Sequence, residues 1–177
     1  MMKNKPSPTD SFLFQRPGIT ANNRIVLAAM TNKQSHDNGT ISQAEINWLA
    51  RRANGGFGII TTAATHVAKH GQGWEGEFGV FDDSHKSNLS LLAKSIHSYD
   101  SLIIAQLFHG GARSPQDLTG MQPISASVIS SNESHNGYTY AASEEDIAKI
   151  IKDFTSAAIR CAESGLDGIE LHGAHGY

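Results

Sequence analysis

The chain has 177 residues, 39% of them hydrophobic and 18% charged, enough for one globular domain with a substantial core. A formal net charge of −3 with histidine neutral offers no basic surplus for nucleic acid and no polybasic cluster for an anionic membrane surface. The single cysteine, Cys161, cannot form an internal disulfide, which points to a reducing, cytoplasmic setting, and no run of roughly 18 apolar residues is present to span a bilayer.

Residues 1–11 are polar, lack an apolar secretory core and read as a flexible leader. Residues 24–30 (RIVLAAM) form a short apolar run bounded by turn formers, the pattern of a buried strand. A helix is predicted from the capping box Ser42-Gln43-Ala44-Glu45, with Ile41 and Ile46 placed to staple it and Gly55-Gly56 to stop it. Residues 57–64 (FGIITTAA) predict a second strand. A loop over residues 65–81 follows, then a helix capped by Asp82 or Asp83 whose stripe is Leu89, Leu92, Ala93 and Ile96. Residues 102–108 (LIIAQLF) predict a third strand and residues 109–142 a long loop. The last helix opens at Ser143, with Asp146 as box acid and a stripe of Ile147, Ile150, Ile151, Phe154, Ala158 and Cys161. Residues 168–172 (GIELH) predict the fourth strand.

Near-continuous apolar strands alternating with amphipathic helices predict a parallel sheet covered by helices. A doubly wound sheet and a (β/α)8 barrel both begin this way, and both gather function at the C-terminal strand ends. Gly71-Gln72-Gly73-Trp74-Glu75-Gly76 fits the G-x-G-x-x-G fingerprint by letter, but no strand directly precedes it and no helix opens on it. It reads better as a loop over the mouth of a site, with Trp74 or Phe78 as a wall.

Alternation places Gly168, Glu170 and His172 on one face of the fourth strand, and Ile104, Gln106 and Phe108 on one face of the third. Gln106 is an isolated amide in an apolar strand and needs partners: it is either a satisfied core glutamine or a reader of a heterocycle edge. His172 and His175 admit three roles: structural histidines, nitrogen ligands of a zinc hydrolase together with His109, or two N–H donors that polarise a substrate carbonyl, with the phenol of Tyr177 as proton source.

Four stretches, one per predicted strand end, carry a resemblance to a known family. They are RIVLAAMT, ITTAATHV with GQG, AQLFHGGARS, and DGIELHGAHGY, the most specific of the four. In this order and spacing, residues 11–177 resemble the N-terminal half of the old yellow enzyme-type NADH:flavin oxidoreductases. The resemblance implies a (β/α)8 barrel of which residues 12–177 supply the first four strands, with FMN at the strand C-termini and NADH or NADPH as reductant. It implies that Ala28, Ala29, Met30 and Thr31 line the flavin, with Ala64 beside the ring and Gln106 on its pyrimidine edge. It further implies that His172 and His175 bind the substrate carbonyl, with His172 also near the flavin, and that Tyr177 donates the proton to an activated alkene.

Some positions depart from the family pattern. Ala63-Ala64 stands where many members have Glu-Ala, and Thr31 stands where one branch has cysteine. Lys33 stands where some members carry an aromatic, and His109-Gly110-Gly111-Ala112-Arg113 is one residue longer than usual before the arginine, so Arg113 receives no role. The four later strands and their phosphate site have no counterpart, so the end at Tyr177 reads as truncation. The chain is then expected to bind FMN poorly alone and to need a second polypeptide supplying the other half-barrel. The alternative is a non-catalytic half-barrel that self-dimerises or binds a partner.

Overall fold

A computed structural model describes residues 5–16 and 18–177. The predicted leader lies partly outside them; residues 5–11 are exposed coil and turn. A hairpin with no counterpart among the predicted elements follows. Its strand β1 (Phe12–Phe14) pairs antiparallel with β2 (Ile19–Ala21).

Strand β3 (Val26–Leu27) is shorter than the seven-residue run predicted for it; Ala28, Ala29 and Met30 leave the ladder at once. Helix α1 (Gln43–Asn54) begins at the predicted cap, where the Ser42 side chain accepts from the Glu45 N–H at 3.1 Å. The return half of the box is not made. Glu45 is fully buried and turns inward, accepting from Asn32 Nδ2 at 3.0 Å and from the Ser35 hydroxyl. Two polar donors from the loop after β3 thus outcompete the one N-cap amide.

Strand β4 (Ile59–His66) is buried throughout and runs two residues beyond the prediction. Helix α2 (Lys86–His97) follows a 3-10 turn that Asp82 caps, and its predicted stripe is buried in full. Strand β5 (Leu102–Phe108) has the predicted bounds. The segment after it, predicted as loop, holds a short helix α3 (Gln116–Thr119) and two two-residue strands, β6 (Ile124–Ser125) and β7 (Tyr140–Ala141). Helix α4 (Glu144–Glu163) carries a complete capping box between Ser143 and Asp146. Strand β8 (Gly168–Leu171) ends the sheet.

The main sheet is parallel, in the order β3-β4-β5-β8. Its buried core lies between the strands and their helices: Leu49 of α1, Leu89, Leu92 and Ile96 of α2, and Ile60, Ile103 and Leu107 of the sheet. Strand–helix–strand units in sequence order, with one strand added to the same side each time, are the start of a (β/α) barrel that four strands leave unclosed.

The open edge shows on α4. Of its predicted stripe only Cys161 is buried, joined by Ala157. Ile147 and Ile151 are 49% and 62% exposed, and Leu171 of β8 is 64% exposed. Ile151 and Leu171, together with Phe154, Ala158 and Ile169, border an apolar groove of about 680 Å³. The helical period was sound, but the surface these side chains would bury against is not in this chain. Replacing Ile151 and Leu171 with glutamate should therefore reduce binding of an apolar fluorescent dye and concentration-dependent association. Urea unfolding should change by no more than about 0.5 kcal/mol, as for surface substitutions.

Candidate functional site

The site stands on the C-terminal ends of the four parallel strands. Between Thr61 and Ala64 the β4–β5 ladder shifts register. Threonine hydroxyls satisfy the groups this frees: Thr62 and Thr65 both donate to the Ala63 carbonyl, and the Gln106 N–H donates to Thr62 Oγ1 at 3.1 Å. Such a bulge re-aims the residues beyond it. Ala64 now lies opposite Gln106, and Gln106 opposite Glu170.

Gln106 is half-buried on the face predicted for it. Its Nε2 donates to Glu170 Oε1 at 2.5 Å, and this contact to a carboxylate assigns which end of the amide is nitrogen. Gln106 therefore keeps its carbonyl oxygen and one N–H for another partner. Ala64 beside it is small and buried, while Ala28, Ala29, Met30 and Thr31 leave β3 at the far edge of the same sheet end. Three inter-strand spacings, roughly 14 Å, separate β3 from β8. The buried Glu45 ties the segment after Thr31 to α1 through Asn32 and Ser35. Burial raises the Glu45 carboxyl above the ordinary range.

On the β8 side the predicted residues converge. The His172 N–H extends the ladder to Leu107 O at 2.9 Å, and the Ala174 N–H points to its Nδ1 at 3.4 Å, which leaves Nε2 as the protonated nitrogen. His175 and Gly176 then take left-handed backbone, φ +61° and +76°. Two such residues in succession fold the chain back and bring the Tyr177 ring to 5.2 Å from His172, with His175 also 5.2 Å from His172. His109, the third candidate nitrogen ligand, borders the same pocket as His172 and Tyr177, but it is buried, packs edge-on against His70 and takes the Gly111 N–H on Nδ1. Among the described residues no three such side chains are grouped to hold a metal ion.

Three residues outside the predicted site belong to it. Phe108 is fully buried and meets Tyr177 at 4.6 Å, His172 at 5.5 Å and Trp74 at 5.3 Å. Strand alternation had put it on the Gln106 face, a signal that could have found it. Arg113 lies over the Tyr177 ring, 5.3 Å from its centroid. Glu77 is buried beneath the glycine-rich loop, and a lone acid in such a loop carries no sequence signal of burial. Of the two walls expected from that loop, Trp74 packs on the site, whereas Phe78 is buried in the core.

The family described as NADH:flavin oxidoreductase / NADH oxidase matches residues 16–177. The chain belongs to that family. It is 36% identical over 164 residues to "Probable NADH-dependent flavin oxidoreductase YqiG" of Bacillus subtilis, covering 92% of this chain and 43% of the relative. It is 32% identical over 155 residues to an NADPH dehydrogenase of Clostridium acetobutylicum, covering 88% and 45%. The solved old yellow enzyme homologue of Zymomonas mobilis superposes with a TM-score of 0.88 at 28% identity, over 97% of this chain and 50% of that one. The chain thus spans about half the length of the relatives it matches, and its open sheet is part of their barrel.

Members of this family use FMN with NADH or NADPH. The donor set here fits the ring of that cofactor: a free carboxamide oxygen and N–H on Gln106, the Thr31 hydroxyl, the His172 N–H, and a floor of alanines. Among the described residues no helix is long and apolar enough to cross a membrane.

Buried titratable groups underlie the site. Burial, with His85 nearby, pushes His66 down to about 3, and burial pushes His109 down to about 4 and Glu77 up to about 9. The unfolded chain holds more protons on the two histidines between pH 4 and 6.5, so stability rises with pH there. The folded chain holds the extra proton on Glu77 between about 4.5 and 9, so stability falls with pH above 6.5, by at most about 1.4 kcal/mol per pH unit. Urea unfolding across pH should peak near 6.5, and Glu77→Gln should flatten the fall above 6.5 while steepening the rise between about 4.5 and 6.5.

Proposed function

We propose that this chain supplies the substrate-binding half of an FMN-dependent NAD(P)H oxidoreductase that reduces activated alkenes. The observation that supports this most directly is the convergence of His172 and Tyr177 on Phe108, two residues along the strand from Gln106, with His175 against both of those rings. Gln106 and Thr31 would hold the ring of FMN, with Ala28, Ala29, Met30 and Ala64 leaving room for it. The chemistry that FMN supplies when bound is hydride transfer, taken from NADH or NADPH and delivered to the alkene. His172 and His175 donate N–H bonds to the substrate carbonyl oxygen and so favour the electron-rich state that hydride addition creates. Tyr177 gives a proton from its phenol to the carbon next to that carbonyl. Phe108 and Trp74 keep water from this end of the pocket.

The partner that fits the open edge is a complementary (β/α) half rather than a second copy. Two copies would bring eight main-sheet strands but, among the described residues, three long helices each, with none following β8 to lie in the groove beside α4. A helix that follows β8 in space fills it. A reducing, cytoplasmic setting fits the lone Cys161, which is buried and whose thiol burial pushes up to about 12.

Co-expression with the C-terminal half of the Bacillus subtilis relative is the test. The complex should be yellow with one FMN and should oxidise NADH or NADPH with an enone as acceptor; a colourless, inactive complex would contradict the assignment. Within an active complex, Tyr177→Phe should lower turnover of the enone by about 10²-fold or more while flavin reduction by the nicotinamide proceeds. Gln106→Leu should weaken FMN binding about tenfold, the cost of one hydrogen bond to a buried polar group.

A further inference from the structure

The glycine-spaced run 71–76 suits a dinucleotide by its letters, yet its amides face into the protein. The Gly73 N–H donates to Glu77 Oε2 at 2.6 Å. The Glu77 side chain has no exposed surface, which is rare for an acid, and its Oε1 has no hydrogen-bond partner. Among the described residues one titratable side chain, His66, lies within ion-pair reach, with Nδ1 at 3.7 Å. Lys33 meets the loop through its backbone at Gly76.

The other side of the same turn rests on the site. A Cβ at Gly73 would stand 3.1 Å from the Phe108 ring, so glycine lets the backbone lie flat on it. The Trp74 ring packs on Phe108 at 5.3 Å, and Phe108 in turn meets Tyr177 and His172. A buried carboxyl, the turn it holds at Gly73, one tryptophan and one phenylalanine thus form a continuous chain of contact to the rings of His172 and Tyr177.

We propose that Glu77 is a positioning residue: its buried carboxyl fixes the Gly73–Trp74 turn on Phe108, and Phe108 sets the rings of His172 and Tyr177. The inference rests on the assignment of those two rings to the substrate side. It gives the glycine-rich run a definite role, that of a cradle for the chain's own carboxyl. Hydrogen-bonded supports of this kind fix side chains that meet a ligand without touching the ligand themselves.

The test uses the whole chain with Trp48→Phe, which leaves Trp74 as its one tryptophan. Glu77→Gln keeps a carbonyl acceptor for the Gly73 N–H; Glu77→Leu keeps bulk and loses the acceptor. Glu77→Leu should shift Trp74 emission to the red, raise its quenching by iodide and move the His172 ring resonances in NMR. Glu77→Gln should restore all three. Raising the pH from 7 to 10 should shift Trp74 emission in the parent and leave Glu77→Gln flat. The proposal is overturned if a folded Glu77→Leu keeps parental emission, if Trp74 moves while His172 does not, or if parent and Glu77→Gln titrate alike. Should Glu77→Leu fail to fold, the alkaline comparison with Glu77→Gln decides alone. None of these signals requires flavin, so failure of FMN binding in the complex would be a separate result.

Discussion

The parallel pairing of β4 with β5 is the constraint on which the rest of this chain depends. Both strands are largely buried, both carry covering helices, and the other two strands of the sheet hang one on each side of them. A parallel ladder cannot form until a whole crossover has been ordered, so its register must be defended by side chains as well as by backbone. Here that defence comes from Thr62 and Thr65, whose hydroxyls occupy the break in the ladder and place Ala64 opposite Gln106. Shifting that break by one residue would turn Gln106 away from the strand-end face, and with it the Gln106–Glu170 contact that links β5 to β8.

From that ladder the chemistry is assembled by short-range devices. Two left-handed residues return Tyr177 to His172, and Phe108 serves as the common surface for both. Two buried acids do the supporting work: Glu45 holds the loop after β3, and Glu77 holds the loop after β4. Neither acid is placed to meet a substrate. Each converts a flexible strand-end loop into a fixed wall, and burial favours the proton-bearing form of both, which lowers the cost of hiding them.

What could be read from residues alone was set by how local the cause was. β5 and the Ser143 cap were legible because an apolar run or a capping pattern needs few distant partners. Strand period and family motif together singled out Gln106, His172, His175 and Tyr177, and the fold brings His172, His175 and Tyr177 together at one strand end. The hairpin β1–β2 and the strands β6 and β7 were not, since two- and three-residue strands have no period to detect. Glu45 was misread because its capping pattern is real but two donors 10 and 13 residues away compete for the same carboxylate. Glu77 was silent because only the folded loop reveals that its amides point inward. The stripe of α4 was legible as apolar, but how little of it is buried was not, because burial depends on a neighbour and this helix has one uncovered side.

Amide hydrogen exchange tests the central claim, that this is a half-barrel whose substrate rings sit at an edge awaiting completion. In the chain alone, amides 103–107 should exchange slowest and amides 168–172 markedly faster, since β8 is paired on one side only. In a flavin-bearing complex with the C-terminal half of the Bacillus subtilis relative, amides 168–172 should slow to the level of β5. Protection of 168–172 equal to β5 in the isolated chain, or no change on forming a flavin-bearing complex, would contradict the account.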